Sequence, residues 1–262
     1  MNKTELSEME RIQNKAIKRM LRLPQGTPSF GLRAELGILS IESVIAKKKL
    51  SFLHRVLNQP DSNITKRVLL EQSKLPEETW LRNTIETCEK LEVTSDLMEI
   101  KGIPIEVWKK QVMKAVNRYE DAMLMKWAQQ SKKYKSANLS VCKKKYINYL
   151  PPALAMMVLK TRIGMVEVKT NFKNMFADTT CRKCHSEEED LQHILQCGRS
   201  VTSENQDMMS DVVNIINNIE DEEDTTIKVL AEEIKKVMEE IPLVTTLESV
   251  LQEATSDDED ML

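Results

Sequence analysis

The stretch from Pro104 to Ser131, PIEVWKKQVMKAVNRYEDAMLMKWAQQS, decides the fold class. Proline suits the first position of a helix, because the N–H it lacks would have no partner there. Beyond it Trp108, Val112, Ala115, Tyr119, Met123 and Trp127 recur at intervals of three and four. That spacing lines one face of a helix of 3.6 residues per turn and predicts a single long helix to about Ser131. A stripe this regular reads as core, although its aromatic faces are also surfaces on which bases stack. Lys110, Lys114 and Arg118 run along another face of the same helix.

Upstream, Ser7-Glu8-Met9-Glu10 has capping-box spacing and opens a helix to Leu23, with Met9, Ile12, Ala16 and Met20 on one face. Pro24-Gln25-Gly26 ends it. Thr27-Pro28 then reads as the start of a second helix and Gly37 as its stop. Ser40 caps a third through about Asn58, with Ile41, Val44, Ile45, Leu53, Val56 and Leu57 expected to face the core and Lys47-Lys48-Lys49 wrapping around it. Shorter helices are expected at 63–74 and 77–91.

Downstream of Ser131, Lys132, Lys133, Lys135, Lys143, Lys144 and Lys145 crowd together with Tyr134, Tyr146 and Tyr149 among them. Basic residues interleaved with tyrosines suit phosphate contact plus base stacking. The same pattern also describes a lysine-rich surface that merely faces water. Then Cys181, Cys184, His193 and Cys197 form a C-x2-C-x8-H-x3-C run. Two cysteines three apart can present both thiolates to one ion from a tight turn, and residues four apart on a helix point the same way. Zinc accepts four such ligands tetrahedrally, and with all four supplied by protein the site is structural. Such a site would organise residues 178–198 as the ion binds. Last come the apolar stripes Met208, Val212, Ile216, Ile219; Ile227, Leu230, Ile234, Val237, Ile241; and Leu243, Leu247, Val250, before the acidic end at 255–262.

The fold class expected is therefore mainly α. A basic helical body (1–150) leads into a small zinc-knuckle module (151–202), acidic amphipathic helices (203–254) and a disordered acidic tail (255–262). Six glycines and eight prolines among 262 residues are too few for a turn-rich all-β chain. Nothing approaches a run of 18 apolar residues, so no membrane span is expected. Met1-Asn2-Lys3-Thr4-Glu5 lacks an apolar signal core, and three of the five cysteines sit in the metal spacing. Both point to a reducing, intracellular setting, nuclear or cytoplasmic rather than secreted. Cys88 and Cys142 read as ordinary buried thiols. The net charge of −3 hides a division. Residues 186–262 carry 22 acidic against four basic side chains, net −18, which leaves +15 on residues 1–185. The first part can attract a polyanion that the second repels.

Two separated sets of motifs carry a family resemblance. Glu10-Arg-Ile-Gln-Asn-Lys-Ala-Ile-Lys-Arg-Met-Leu21, Thr27-Pro28, Leu36-Gly-Ile-Leu39 and Ala46-Lys-Lys-Lys-Leu-Ser-Phe-Leu-His-Arg-Val-Leu57 resemble the region just beyond the thumb of non-LTR retrotransposon reverse transcriptases. Leu159-Lys-Thr-Arg-Ile-Gly164, Thr179-Thr-Cys-Arg-Lys-Cys184 and Asp190-Leu-Gln-His-Ile-Leu-Gln-Cys197 resemble the zinc knuckle at the end of those proteins. The resemblance covers roughly residues 5–58 and 155–198. It implies a region that supports binding of RNA or target DNA, with Cys181, Cys184, His193 and Cys197 as ligands to one zinc. The family usually has four residues between histidine and last cysteine, where this chain has three.

The chain has no Tyr/Phe-Ala-Asp-Asp turn, which holds Mg²⁺ in that family's polymerase core, and no Pro-Asp after Cys197. Glu233-Ile234-Lys235 mimics the end of a nuclease motif, but on an amphipathic stripe. The expectation is a non-catalytic nucleic-acid-binding fragment of reverse-transcriptase origin. It would take no small-molecule substrate and could meet a protein partner through its acidic tail. The rival readings are a helical protein-interaction module with a structural zinc and a decayed remnant without retained function.

Overall fold

The computed structural model describes residues 3–75, 79–130, 140–172, 176–197 and 224–240. Among them the chain is mainly helical: α1 Lys3–Met20, α2 Ser29–Leu36, α3 Ile41–Leu57, α4 Ile64–Gln72, α5 Trp80–Lys90, α6 Leu97–Gly102, α7 Ile105–Gln129, α8 Tyr146–Tyr149, α9 Pro152–Arg162, α10 Leu191–Gln196 and α11 Asp224–Glu240. The described residues contain one isolated antiparallel bridge, Thr180 to Glu188, and no named strand. None of their helices is long and apolar enough to cross a membrane.

Helix ends follow local chemistry. Ser40 accepts a hydrogen bond from the Ser43 N–H, and Asn63, Thr79 and Asp96 cap α4, α5 and α6 in the same way. Each such cap satisfies a backbone donor that the first helical turn leaves over and contributes about 1 kcal/mol. Gly37 ends α2 with φ at +64°, and a Cβ there would lie 2.4 Å from the Lys143 backbone nitrogen. Both the left-handed backbone and the close approach of the 140s segment require glycine.

Helix α3 is the hub, touching α1, α4, α5, α6 and α7. Its Leu50, Leu53 and Leu57 bury against Leu81, Cys88, Ile100, Trp108, Val112 and Val116. Full burial of such a side chain stabilises by roughly 1.5–3 kcal/mol. Trp108 meets the polar requirement of its indole by donating to the Leu50 carbonyl at 3.0 Å. A second core gathers Ile17, Leu32, Tyr146, Leu154, Val158 and Ile163 with Ile227 and Ala231 of α11. It runs straight through the expected boundary at residue 150, so α1, α2, α8, α9 and α11 share one interior.

Glu35 and Arg162 form a buried ion pair in that interior, Nε to Oε2 at 2.7 Å, with side chains 1% and 2% exposed. The Tyr146 hydroxyl donates to the same oxygen at 3.0 Å, while Glu35 Oε1 has no partner among the described residues. Burial, then the Glu35 charge, push the Tyr146 phenol well above its usual range, so it remains a donor.

Several expectations are corrected. On α1 the stripe Met9, Ile12, Ala16 and Met20 faces solvent, and Glu10, Gln13, Asn14 and Ile17 turn inward. The inward face is polar because Glu10 accepts from Ile41 N at 2.6 Å and pairs with Arg33 at 2.7 Å, and Gln13 donates to the Leu39 carbonyl. On α3, Ile41, Val44 and Ile45 are only half-buried, and Ser43, Ala46 and Leu50 take their places. Cys142 is exposed rather than buried. Helix α6 was not expected. The stripes at Met208–Ile219 and Leu243–Val250 and the acidic end 255–262 lie outside the described residues.

Candidate functional site

A short hairpin and a helix bring Cys181, Cys184, His193 and Cys197 together. The Cys181 N–H donates to the Glu187 carbonyl at 2.7 Å, and the Glu189 N–H to the Thr179 carbonyl at 2.8 Å. Between them His185 takes a left-handed φ of 54° to turn the chain. Asp190 caps α10 by accepting from the His193 N–H at 2.7 Å, which points His193 and Cys197 back at the hairpin. Ile194 and Leu195 anchor that short helix in a third core with Val166, Val168, Leu230, Ile234 and Val237. Helix α11 thus packs directly on the helix that carries His193.

The four ligand atoms lie within 4.8 Å of one another. A tetrahedral ion about 2.3 Å from sulfur and about 2.0–2.1 Å from nitrogen would set two sulfurs about 3.8 Å apart and sulfur and nitrogen about 3.5–3.6 Å apart. Cys181 Sγ and Cys197 Sγ are 3.9 Å apart, and Cys184 Sγ and His193 Nε2 are 3.3 Å apart. The cluster has the dimensions to hold one metal ion. His193 Nδ1 donates to Glu187 Oε2 at 3.0 Å, which leaves Nε2 as the nitrogen facing the sulfurs. A carboxylate on the far ring nitrogen is the usual way a ligating histidine is oriented.

Charge in the cluster is already divided. The Ser186 hydroxyl, donating to Cys184 Sγ at 3.2 Å, and the backbone amides of Ser186 and Glu187 bring the Cys184 thiol down to about 5. Burial and the facing sulfurs push Cys197 up to about 12. Burial works against protonation of His193, but the sulfurs of Cys184 and Cys181 outweigh it and raise the imidazole above its ordinary value. A cation binding here would therefore displace the proton of Cys197.

No protein-family model matches the chain, and no curated protein or solved structure matches it either.

Nothing in the sequence pattern singled out Glu189. The residue is fully buried, and its carboxylate accepts from Arg182 Nε and the Arg182 N–H, each at 3.0 Å, and from the Lys169 N–H at 2.9 Å. Arg182 Nη2 adds a contact at 2.9 Å to the other oxygen. This clip ties the hairpin of Cys181 and Cys184 to the 3-10 turn at Lys169–Phe172. Three consecutive glutamates, 187–189, mask it, since nothing local marks the third as buried.

The basic residues divide. Lys110, Lys114 and Arg118 are all exposed on α7, and Arg118 lies 3.6 Å from Glu92. Lys143 and Lys145 are exposed. Lys144 is a correction: it is 1% exposed, its ammonium donates to Ser140 Oγ at 3.1 Å, and its backbone N–H donates to the Glu35 carbonyl. A side chain pinned under α2 in this way has no access to a phosphate. Tyr146 is likewise interior, bonded to Glu35, and Tyr149 is partly exposed. Lys132, Lys133, Lys135 and Tyr134 lie outside the described residues.

Proposed function

We propose that this chain is a non-catalytic nucleic-acid-binding module, derived from a retrotransposon reverse transcriptase, whose knuckle is built around one structural zinc. The observation that carries it is the +15 charge of residues 1–185 together with Lys110, Lys114 and Arg118 standing in solvent one turn apart on α7. Such a row follows a phosphate backbone without reading its sequence. The donor set supports zinc: three sulfurs and one imidazole at tetrahedral spacing suit it, and four protein ligands leave no position for a reactive water. Cys181, Cys184, His193 and Cys197 would hold the ion, and its chemistry would be confined to fixing the knuckle. The reverse-transcriptase reading gains support from the Glu35–Arg162 pair. It joins the two distant stretches that carry the resemblance into one folded unit.

Fluorescence titration of the full chain with RNA and DNA at two salt concentrations tests this reading. Counterion release predicts that affinity falls steeply with salt, by roughly 0.7–0.9 in log–log slope for each phosphate contacted. Metal analysis should find one zinc per chain, lost in Cys181→Ser. No binding at low salt would refute the function, and zinc-free protein the centre.

One observation favours the rival, a protein-interaction module: Met9, Ile12 and Met20 are 44%, 56% and 75% exposed along a single face of α1. Binding that ignores salt and is abolished by charged substitutions on that face would decide for it.

A further inference from the structure

A groove of about 890 Å³ runs between the outer face of α3 and the start of α7. Lys47, Lys48, Arg55 and Lys109 stand along it, and among the described residues no acidic side chain lines it. Lys109 shares its charge with Glu106 at 2.9 Å. Among the described residues no carboxylate pairs with Lys47, Lys48 or Arg55. The walls are apolar, with Leu39, Val44, Phe52 and Ile105 contributing. Phe52 is over a third exposed, and the Arg55 guanidinium lies over its ring at 5.2 Å from the centroid. His54 also lines the groove. Its Nε2 donates to the Ile103 carbonyl at 2.7 Å, and its Nδ1 is buried without a partner among the described residues.

We propose that this groove takes an unpaired stretch of single-stranded nucleic acid, with bases against the apolar wall and phosphates on Lys47, Lys48 and Arg55. The inference rests on the nucleic-acid reading above and adds to it the strandedness of the ligand. Two features decide it. A duplex turns its bases inward and presents phosphates only, so it would leave the apolar wall facing nothing. A single strand offers both a charged backbone and a flat apolar face, and proteins that hold single strands combine a cationic groove with an aromatic or guanidinium platform. Phe52 with Arg55 over it is such a platform. The row on α7 has no aromatic in its line of Lys110, Lys114 and Arg118 and serves either form of nucleic acid.

The test compares two charge-neutralised full-length variants, Lys47→Gln/Lys48→Gln/Arg55→Gln and Lys110→Gln/Lys114→Gln/Arg118→Gln. All six positions lie outside the buried cores, and circular dichroism checks that both fold. The probes are a labelled oligothymidylate of about 20 nucleotides, longer than a small domain's footprint, and the corresponding blunt duplex. The groove variant should bind the single strand at least tenfold more weakly at low salt. Its salt slope on that probe should be shallower by about 2, for three contacts at about 0.7 each. Duplex affinity should stay within twofold of the parent chain. Phe52→Leu, which keeps the wall apolar but removes the ring, should cost the single strand roughly tenfold. Equal losses on both probes, or none, would overturn the groove while leaving the nucleic-acid reading intact. So would a groove variant that loses affinity for polyglutamate alone, which would make this an acidic-peptide site. A parent chain that binds neither probe would overturn both.

Discussion

Replacing Arg162 with methionine should be among the most damaging single changes available to this chain. The pair it breaks has both side chains almost wholly out of water, and among the described residues Arg162, at 2.7 Å, is the only ionic partner of Glu35. In Arg162→Met the carboxylate would keep the Tyr146 hydroxyl on Oε2 and nothing on Oε1. Stripping one partner from a buried pair costs about 3–5 kcal/mol, because the other charge stays interred without compensation. Domains of ordinary stability have only about 5–15 kcal/mol in total. With a urea dependence of about 1–3 kcal/mol per molar, the unfolding midpoint should fall by at least about 1 M. Glu35→Leu/Arg162→Met should recover most of that loss, leaving a deficit of about 1 kcal/mol for the Tyr146 hydroxyl. Urea titrations of the parent, the single and the double variants, followed by circular dichroism, measure this. A midpoint shift under about 0.3 M for the single variant, or a double variant no better than the single, would refute the argument that burial sets the cost.

Gly37→Ala should destabilise by at least about 1–2 kcal/mol, since it adds left-handed strain to a Cβ contact 2.4 Å from the Lys143 nitrogen; thermal melts measure it, and an unchanged melt would mean the 140s segment does not press on α2. Burial pushes the Cys88 thiol up to about 11, so it holds its proton at pH 8 and should resist iodoacetamide in the native protein, while exposed Cys142 reacts well before it. Peptide mass spectrometry reads both, and the protection of Cys88 should weaken only as pH rises toward 11. Truncation before residue 203 uncovers Val158, Val166, Ile194 and Leu195, so the shortened chain should melt lower and hold metal less tightly. Equal metal affinity in the two chains would show that α11 does not support the knuckle.

Features that depend on a few adjacent residues were legible in the sequence. The Ser40 cap, the Gly37 stop and the opening of α7 at Pro104 all fall where local hydrogen-bonding and steric rules put them. So does the C-x2-C-x8-H-x3-C cluster, because its spacing is itself the geometry of one turn plus one helical step. Which face of a helix turns inward was less legible. On α1 the inward side is decided by Glu10 and Gln13 reaching backbone groups of the first turn of α3 and of Leu39 just before it. Those partners are 26 to 32 positions away, and a pattern of apolar residues carries no trace of them. Lys144 was misjudged for the same reason, its surroundings being made by Glu35 and α2. Glu189 shows the limit most sharply, one buried carboxylate among three identical neighbours.

The Glu189 clip also separates two events that a small metal module ordinarily fuses. Its bonds to Arg182 and Lys169 involve none of the four ligands, so they hold the turn in shape through ionic and backbone contacts of their own. A hairpin braced in this way would offer an ion a receptacle already shaped by contacts other than the metal's own. Selection among ions would then fall to size and coordination preference at the rim, where Cys184 is exposed, and loading would follow the completion of the fold. Glu189→Gln, which keeps the shape but removes the charge, would return the module to dependence on its metal, and a chelator that spares the parent's hairpin would unravel the variant's.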